Sequence, residues 1–342
     1  MADPAHLTQF QLTVRRFRRH RLAVASLFLL LGLYFVALFA PFFSPHPGGW
    51  RDTRFSRCPP MLPAWNPTDG LHTPVLALVT DPVTLRHDYR RVPGQTLPLG
   101  FFVRGEPYQL FGMLTLERRF LGVDHERARA AGIDPAATPW YFLGSDRFGQ
   151  DLFSRLLQGS RVSLSIGLVG IAMNFVLGLL LGGISGYFGG RIDNLIQRTI
   201  EVVNAFPNIP LWLALAAVIP ASWSSLETYF AITVLLSLLS WTGLARVVRG
   251  KILSLREEDY AVAARLLGAS HTRIIFRHLM PGFTSHIIVA LTLAVPGMIL
   301  GETALSFLGL GLRPPVVSWG VLLQEAQNIQ TYLIAQTGVR EQ

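Results

Sequence analysis

Five stretches of this chain contain no Asp, Glu, Lys or Arg over lengths that reach or approach the thickness of a bilayer: Leu22 to Trp50, Val162 to Gly190, Val202 to Leu226, Thr228 to Ala245 and Leu279 to Gly301. A helix crossing the hydrocarbon core needs about 20 apolar residues. In lipid, every peptide group must find its hydrogen bond inside the segment, so such stretches are read as helices. Their apolar cores fall at 22–43, 163–186, 206–221, 228–245 and 284–301. The third is the weakest, because Pro207, Pro210 and Pro220 interrupt it. Charged residues make up 15% of the 342, hydrophobic residues 50%, and the mean hydropathy is +0.38. Soluble domains carry about 25% charge, so a disordered chain is excluded and an ordinary water-soluble enzyme is disfavoured. The expected fold class is an all-α integral membrane protein with five transmembrane helices.

Arg15, Arg16, Arg18, Arg19 and Arg21 precede the first stretch, as in a secretory leader. A leader's apolar region is about 7–15 residues and ends at a small-residue cleavage site. This one is longer and ends in Ala40-Pro41-Phe42-Phe43, so it is read as an uncleaved anchor. The positive-inside rule places five arginines, against Asp3 alone, in the cytoplasm. Four spans later the segment 246–277 returns to that side with seven basic residues against three acidic ones. The net charge of +9 thus follows from topology, and no nucleic-acid partner is expected.

The 44–140 segment falls outside, with eleven basic and nine acidic residues. It is rich in proline, glycine and tryptophan and too long for a bare linker, so it is expected to pack into a small cap of mixed structure. Leu97 to Tyr108 reads as a strand, a turn at Arg104-Gly105, and a second strand. Cys58 is the only cysteine, which excludes an internal disulfide and any CxxC site. There is no GxxxxGK[ST] loop, no HExxH and no GxSxG elbow. Of Asp, Glu, Lys, Arg and His, only His286 lies in a span core, close to its end. Ion-coupled carriers keep a charged relay in the membrane, so if this chain moves a solute its energy is expected from another subunit. The glycines and serines of the second span read as helix-packing surface.

The segment Asp259 to Gly282, DYAVAARLLGASHTRIIFRHLMPG, reads as helix, turn, helix, stop. Asp259 is the expected N-cap. Tyr260, Ala263, Ala264 and Leu267 recur at helical spacing, and Gly268 stands where a left-handed C′ residue is needed. Ser270 is placed to cap a second short helix with an apolar face of Ile274, Ile275 and His278 or Leu279. Pro281 starts the next segment. The result is a basic knob suited to a partner's groove, or else an ordinary amphipathic membrane-surface loop.

These residues resemble the EAA motif of bacterial ABC importer permeases. The match comprises the small-residue run, Gly268, Ala269, the isoleucines, His278 and Pro281, with Val262 where the motif often has glutamate and Gly282 where it often has asparagine. Three further segments are similar to the dipeptide/oligopeptide subfamily. They are Arg16 to Val24 with its following span, Phe142 to Leu156 (FLGSDRFGQDLFSRL, with Ser145 for Thr and Gln150 for Arg), and Gly301 to Gly311 with Ser318-Trp319-Gly320. The resemblance implies a permease subunit that moves di- or oligopeptides and binds no cofactor itself. Its implied partners are a sister permease, two ATP-binding subunits holding ATP and Mg, and an extracytoplasmic solute-binding protein. It also implies a multi-pass place in the inner membrane, with Asp259, Tyr260, Ala263, Ala264, Gly268, Ala269, Ile274, His278 and Pro281 coupling to the ATPase. Asp146, Arg147, Asp151 and Arg155 lie in an outer segment that is either a gate or docking shelf or a solvated surface helix. The implied organisation is 1–43 basic N-terminus and first span, 44–140 cap, and 141–342 permease core.

The family pattern has six spans. From Ala326 to Val339 the chain is too short and too polar to supply the sixth, so a C-terminally truncated or frameshifted chain with its end outside is expected. Relatives with the same motifs carry nickel, opines or oligosaccharides. A reading of another class is a membrane-anchored extracytoplasmic binding or sensor protein working through 44–140, which leaves the 259–281 knob without a role. A self-sufficient carrier is disfavoured by the uncharged spans.

Overall fold

A computed structural model describes residues 15, 17–80, 87–220 and 222–327. The chain divides into two compact units, 1–161 and 162–342.

In the first unit, α1 (Arg21–Leu38) starts at His20, whose Nδ1 accepts from the Ala23 amide. Ala37 is its one buried residue, and an apolar helix open on all sides is built for lipid. A break at Phe39 leads to the single turn α2 (Ala40–Phe43) with Pro41 in its first turn. The cap is an antiparallel meander, β1 (Ala64–Asn66), β2 (Gly70–Thr80), β3 (His87–Leu110) and β4 (Leu114–Val123), in that spatial order. Strand β3 is long enough to serve two partners. Its first half pairs β2 (His72 opposite Pro98) and its second half pairs β4 (Leu99 opposite Val123). The expected turn at Arg104-Gly105 is instead an irregularity inside β3, where the register shifts between Arg104 and Tyr108. Gly105 serves there because a Cβ would meet the Arg119 side chain at 3.0 Å. The reversal comes later, at Phe111-Gly112, both with positive φ. A short helix α3 (His125–Ala130), N-capped by Asp124, closes the sheet. Met61, Val75, Leu97, Leu99, Ile133, Trp140 and Tyr141 form the core. Burial there pushes the Cys58 thiol up to about 12, which keeps it an inert core residue.

The long helix α4 (Leu152–Phe188) leads into the second unit, followed by α5 (Gly190–Ala205), α6 (Asn208–Ala216) and α7 (Ser225–Leu255). Next come α8 (Asp259–Leu266), α9 (His271–Arg273) and α10 (Thr284–Phe307). Between α9 and α10 the chain stays helical, widening to π-winding over Ile274–Leu279 and tightening through Met280–Phe283. Helix α7 opens with a capping box, Ser224 and Glu227 each bonding the other's backbone.

Four described helices are long and apolar enough to cross a bilayer: α1, α4, α7 and the continuous run His271–Phe307. The expected third span is not one straight helix over 206–221. α6 is nine residues long and meets α5 at 87°, and only this bent pair taken together makes a fifth span. The cause is local. Phe206 precedes Pro207 and takes extended backbone (ψ 138°), as a residue before proline must, so the helix stops and restarts. Helix resumes at 319–327, and the expected non-spanning tail at 326–339 lies almost wholly outside the described residues.

Candidate functional site

The knob is built from α8, the turn after it, and the helical run that begins at Ser270. Glu258, with extended backbone, takes the N-cap position expected for Asp259, which becomes the first helical residue and keeps its charge at the positive helix end. Gly268 ends α8 at φ +79°. Its amide bonds to the Arg265 carbonyl and the Ala269 amide to the Ala264 carbonyl, the two bonds of a Schellman stop. Ser270 caps the second helix as expected, accepting from the Arg273 amide.

The face that α8 buries differs from the expected one. Ala261 and Ala264 face inward, while Tyr260, Ala263 and Leu267 are open. Leu266 and Leu267 are 83% and 88% exposed, with Tyr260 and Val262 beside them in sequence. On the second helix Ile274, Ile275 and Leu279 are buried; His278 is half-buried, so Leu279 completes that face. Pro281 is exposed at the tight turn, and Ala269 packs half-buried against the core.

What lies beneath is one continuous core. Ala261, Ala264, Ile274, Ile275, Leu279 and Phe283 pack with Leu179 and Tyr187 of α4, Leu244, Val248 and Ile252 of α7, and Ile287 of α10. Polar ties reinforce it. The Tyr187 hydroxyl bonds His271 Nδ1 at 2.9 Å, Arg265 lies over the Tyr187 ring, and Arg256 donates to the carbonyls of Gly186 and Tyr187. Arg249 of α7 holds Asp193 of α5 through two bonds of 2.6 Å, and Ser185 of α4 donates to the same carboxylate. The glycines of the second span do form a packing seam. A Cβ at Gly178 would meet Leu244 at 2.8 Å, at Gly182 the Ala245 carbonyl oxygen at 2.5 Å, and at Gly186 the Arg249 carbonyl oxygen at 2.8 Å. The knob thus shares its core with α4, α7 and α10.

Glu302 follows directly on the uncharged stretch Leu279 to Gly301. It is fully buried in α10 and accepts from three serine hydroxyls, Ser163 (3.2 Å), Ser306 (2.8 Å) and Ser318 (2.7 Å). The serines in turn take up the backbone amides of Trp319, Leu312 and Val321. One carboxyl group thus ties α4 at Ser163, the end of α10 and the returning segment around Ser318. The available signal was an acid one residue past an apolar stretch, a placement that is costly in a membrane helix and therefore informative.

In the first unit, Asp146, Asp151 and Arg155 do not form a solvated helix face. All three are buried. Arg155 bonds Asp146 at 2.6 Å, and Asp146 also accepts the amides of Phe148 and Gln150. Asp151 sits just ahead of α4, taking the Ser154 amide and hydroxyl. Burial raises its carboxyl and lowers the nearby His46 imidazole. Arg147 is open and lies over the Phe148 ring. Buried, hydrogen-bonded charges of this kind pin a fold together.

A polytopic helical membrane protein with a knob fused to three spans is the class this geometry defines. Residues 178–338 match the model of the binding-protein-dependent transport system inner membrane component, and residues 8–60 that of the N-terminal TM domain of oligopeptide transport permease C. The chain is 32% identical over 213 residues to the oligopeptide transport system permease protein OppC of Bacillus subtilis (strain 168), covering 62% of this chain and 68% of that protein. It is 37% identical over 193 residues to the dipeptide transport system permease protein DppC of the same organism, covering 56% and 58%. To the glutathione transport system permease protein GsiD of Pectobacterium atrosepticum it is 37% identical over 194 residues, covering 57% and 62%. The chain belongs to the family of inner membrane components of binding-protein-dependent transport systems, and is a multi-pass inner-membrane protein. It spans 58% to 68% of the length of these relatives.

Proposed function

We propose that this chain is a permease subunit of an ATP-driven importer of di- or oligopeptides. A sister permease pairs with it, an extracytoplasmic binding protein delivers the solute, and two separate ATP-binding subunits carry ATP and Mg. The observation that carries this reading is the exposed apolar strip Tyr260, Val262, Leu266 and Leu267 on a knob whose core is continuous with α4, α7 and α10. An apolar surface held open at a rigid point suits a protein groove, and the shared core gives a closing partner leverage on the spans. Asp259, Ala263, Gly268 and Pro281 are exposed on the same knob, while Ala264, Ala269, Ile274 and His278 are buried or half-buried and shape it. The named relatives that transport dipeptides, oligopeptides and glutathione support a peptide solute. The same machinery carrying nickel, an opine or an oligosaccharide is the alternative, decided by the ligand found in the cognate binding protein. The arginine-rich N-terminus and the knob lie in the cytoplasm on this reading.

The test is co-purification. Leu266→Asp with Leu267→Asp changes two open side chains, so the protein should reach the membrane in normal amount. The ATP-binding subunits should no longer purify with it, and uptake should cease. Retained ATPase subunits and normal uptake would instead favour a sensor working through the cap.

A further inference from the structure

The first unit carries an aromatic seam between the end of its span and its sheet. The Phe42 and Phe43 rings contact Phe120, Phe42 also contacts Phe102, and Phe39 contacts Phe111 at 5.9 Å. The Arg119 guanidinium fixes this arrangement, donating to the carbonyls of Pro41 (3.2 Å) and Ser44 (2.6 Å). The β3–β4 hairpin therefore lies beside the C-terminal end of the span. Its reversal reaches the level of Phe39, four residues before Phe43, or about 6 Å inward at the helical rise.

The tip is apolar and open. Met113 is 83% exposed and Leu114 57%, Phe111 is exposed beside them, and Phe101 and Phe102 are exposed toward the other end of the hairpin. Phe102 and Phe111 hold positive φ, an expensive backbone for a bulky residue. On α1 itself Phe28, Leu29, Leu31 and Phe35 are equally open, and a bilayer is the solvent for which such a helix is built. Through Phe39 the two apolar surfaces are one. A second observation concerns charge. Arg104 and Arg118 stand directly opposite each other across the β3–β4 ladder, both exposed. Like charges in that position repel. They line a hollow with Phe101 and Phe102, and although Asp124 and Glu126 line it too, neither arginine makes an ion pair among the described residues.

We propose that the β3–β4 hairpin dips into the bilayer. The tip around Phe111, Met113 and Leu114 enters the acyl chains of the leaflet where α1 ends, and Arg104 and Arg118 take lipid phosphates between them. Aromatic rings at headgroup level and arginines reaching back to phosphate suit that boundary. The inference rests on α1 being a span and is independent of what the protein transports.

The test uses the full chain in nanodiscs of phosphatidylcholine with phosphatidylglycerol. Cys58→Ala removes the native thiol, and Met113→Cys then carries a fluorophore. Trp65→Cys, at an exposed site on β1, is the control. Doxyl groups on the lipid chains should quench the label at 113 and spare it at 65, while aqueous iodide should do the reverse. The exposed pair Arg104→Glu with Arg118→Glu should cut doxyl quenching at 113 and raise iodide quenching. Iodide quenching at 113 equal to that at 65 would overturn the proposal. So would protection at 113 from both quenchers, which would mean that a protein covers the tip. Unchanged quenching in the arginine variant would remove the phosphate contact.

Discussion

Gly268 needs a left-handed backbone, yet a Cβ there meets nothing within 4 Å. Its requirement is conformational and not steric. Left-handed backbone costs a side chain about 1–2 kcal/mol, least for Asn and Asp. Gly268→Asn should thus retain most uptake and Gly268→Val should lose it, with both proteins present in the membrane; equal activity would remove the requirement. His46 yields a prediction in pH. Its Nε2–H donates to the Trp140 carbonyl, and burial holds the imidazole below its ordinary range. A folded state that prefers the neutral ring is fully stable above the ordinary histidine value, about 6.5, and loses stability as pH falls through it. Asp151, raised by burial, has the opposite sign and gains as pH falls. The difference between wild type and His46→Asn isolates the histidine. Thermal unfolding between about pH 7.5 and 6 should show wild type losing more than the variant; parallel curves would refute it. Gly268 and Ser270 were legible in sequence because caps and turns are local backbone chemistry, whereas the stop expected at Pro281 is only a tightening within a continuous helical run. Asp146, Asp151 and Arg155 were not, because charge alone does not tell a buried pin from a solvated face.

The seam between α4 and α7 depends on three glycines one helical turn apart. Gly182→Leu would drive a side chain into the Ala245 carbonyl and should abolish the folded fraction in detergent, read by size-exclusion profile. A normal profile would mean that the helices can separate. The serine cluster makes a sharper distinction. Leaving a buried polar group without its partner costs about 1–3 kcal/mol, and Glu302→Ala removes the acceptor from three hydroxyls at once. It should destabilise by at least about 3 kcal/mol, whereas Glu302→Gln keeps one acceptor oxygen and should lose much less. Similar melting temperatures for the two variants would argue that the carboxylate does not organise α4, α10 and the Ser318 segment. At this scale the apolar runs predicted four helices well and the third poorly, because Pro207 breaks what hydropathy averages over. Strand β3 was misread as a hairpin. A glycine inside a strand and a glycine in a turn look alike until the partner strands are known.

For the whole chain, topology is the testable quantity. The positive-inside reading places the arginine-rich terminus and the 246–277 segment in the cytoplasm. With Cys58→Ala as background, a membrane-impermeant maleimide should label Leu267→Cys only in inside-out vesicles and Trp65→Cys only in right-side-out ones. Labelling of both from one side would overturn the orientation. The sequence by itself determined the class of fold, the placing of four spans, the helix–turn–helix knob and the family, because solvent preference, capping and local motifs are written residue by residue. Only the tertiary structure decided which face of α8 is buried, that the knob shares its core with three spans, and that Glu302 is held by three serines. It alone set the hairpin tip beside the end of α1. These depend on residues far apart in the chain meeting in space, and no spacing or composition along the chain encodes such a meeting.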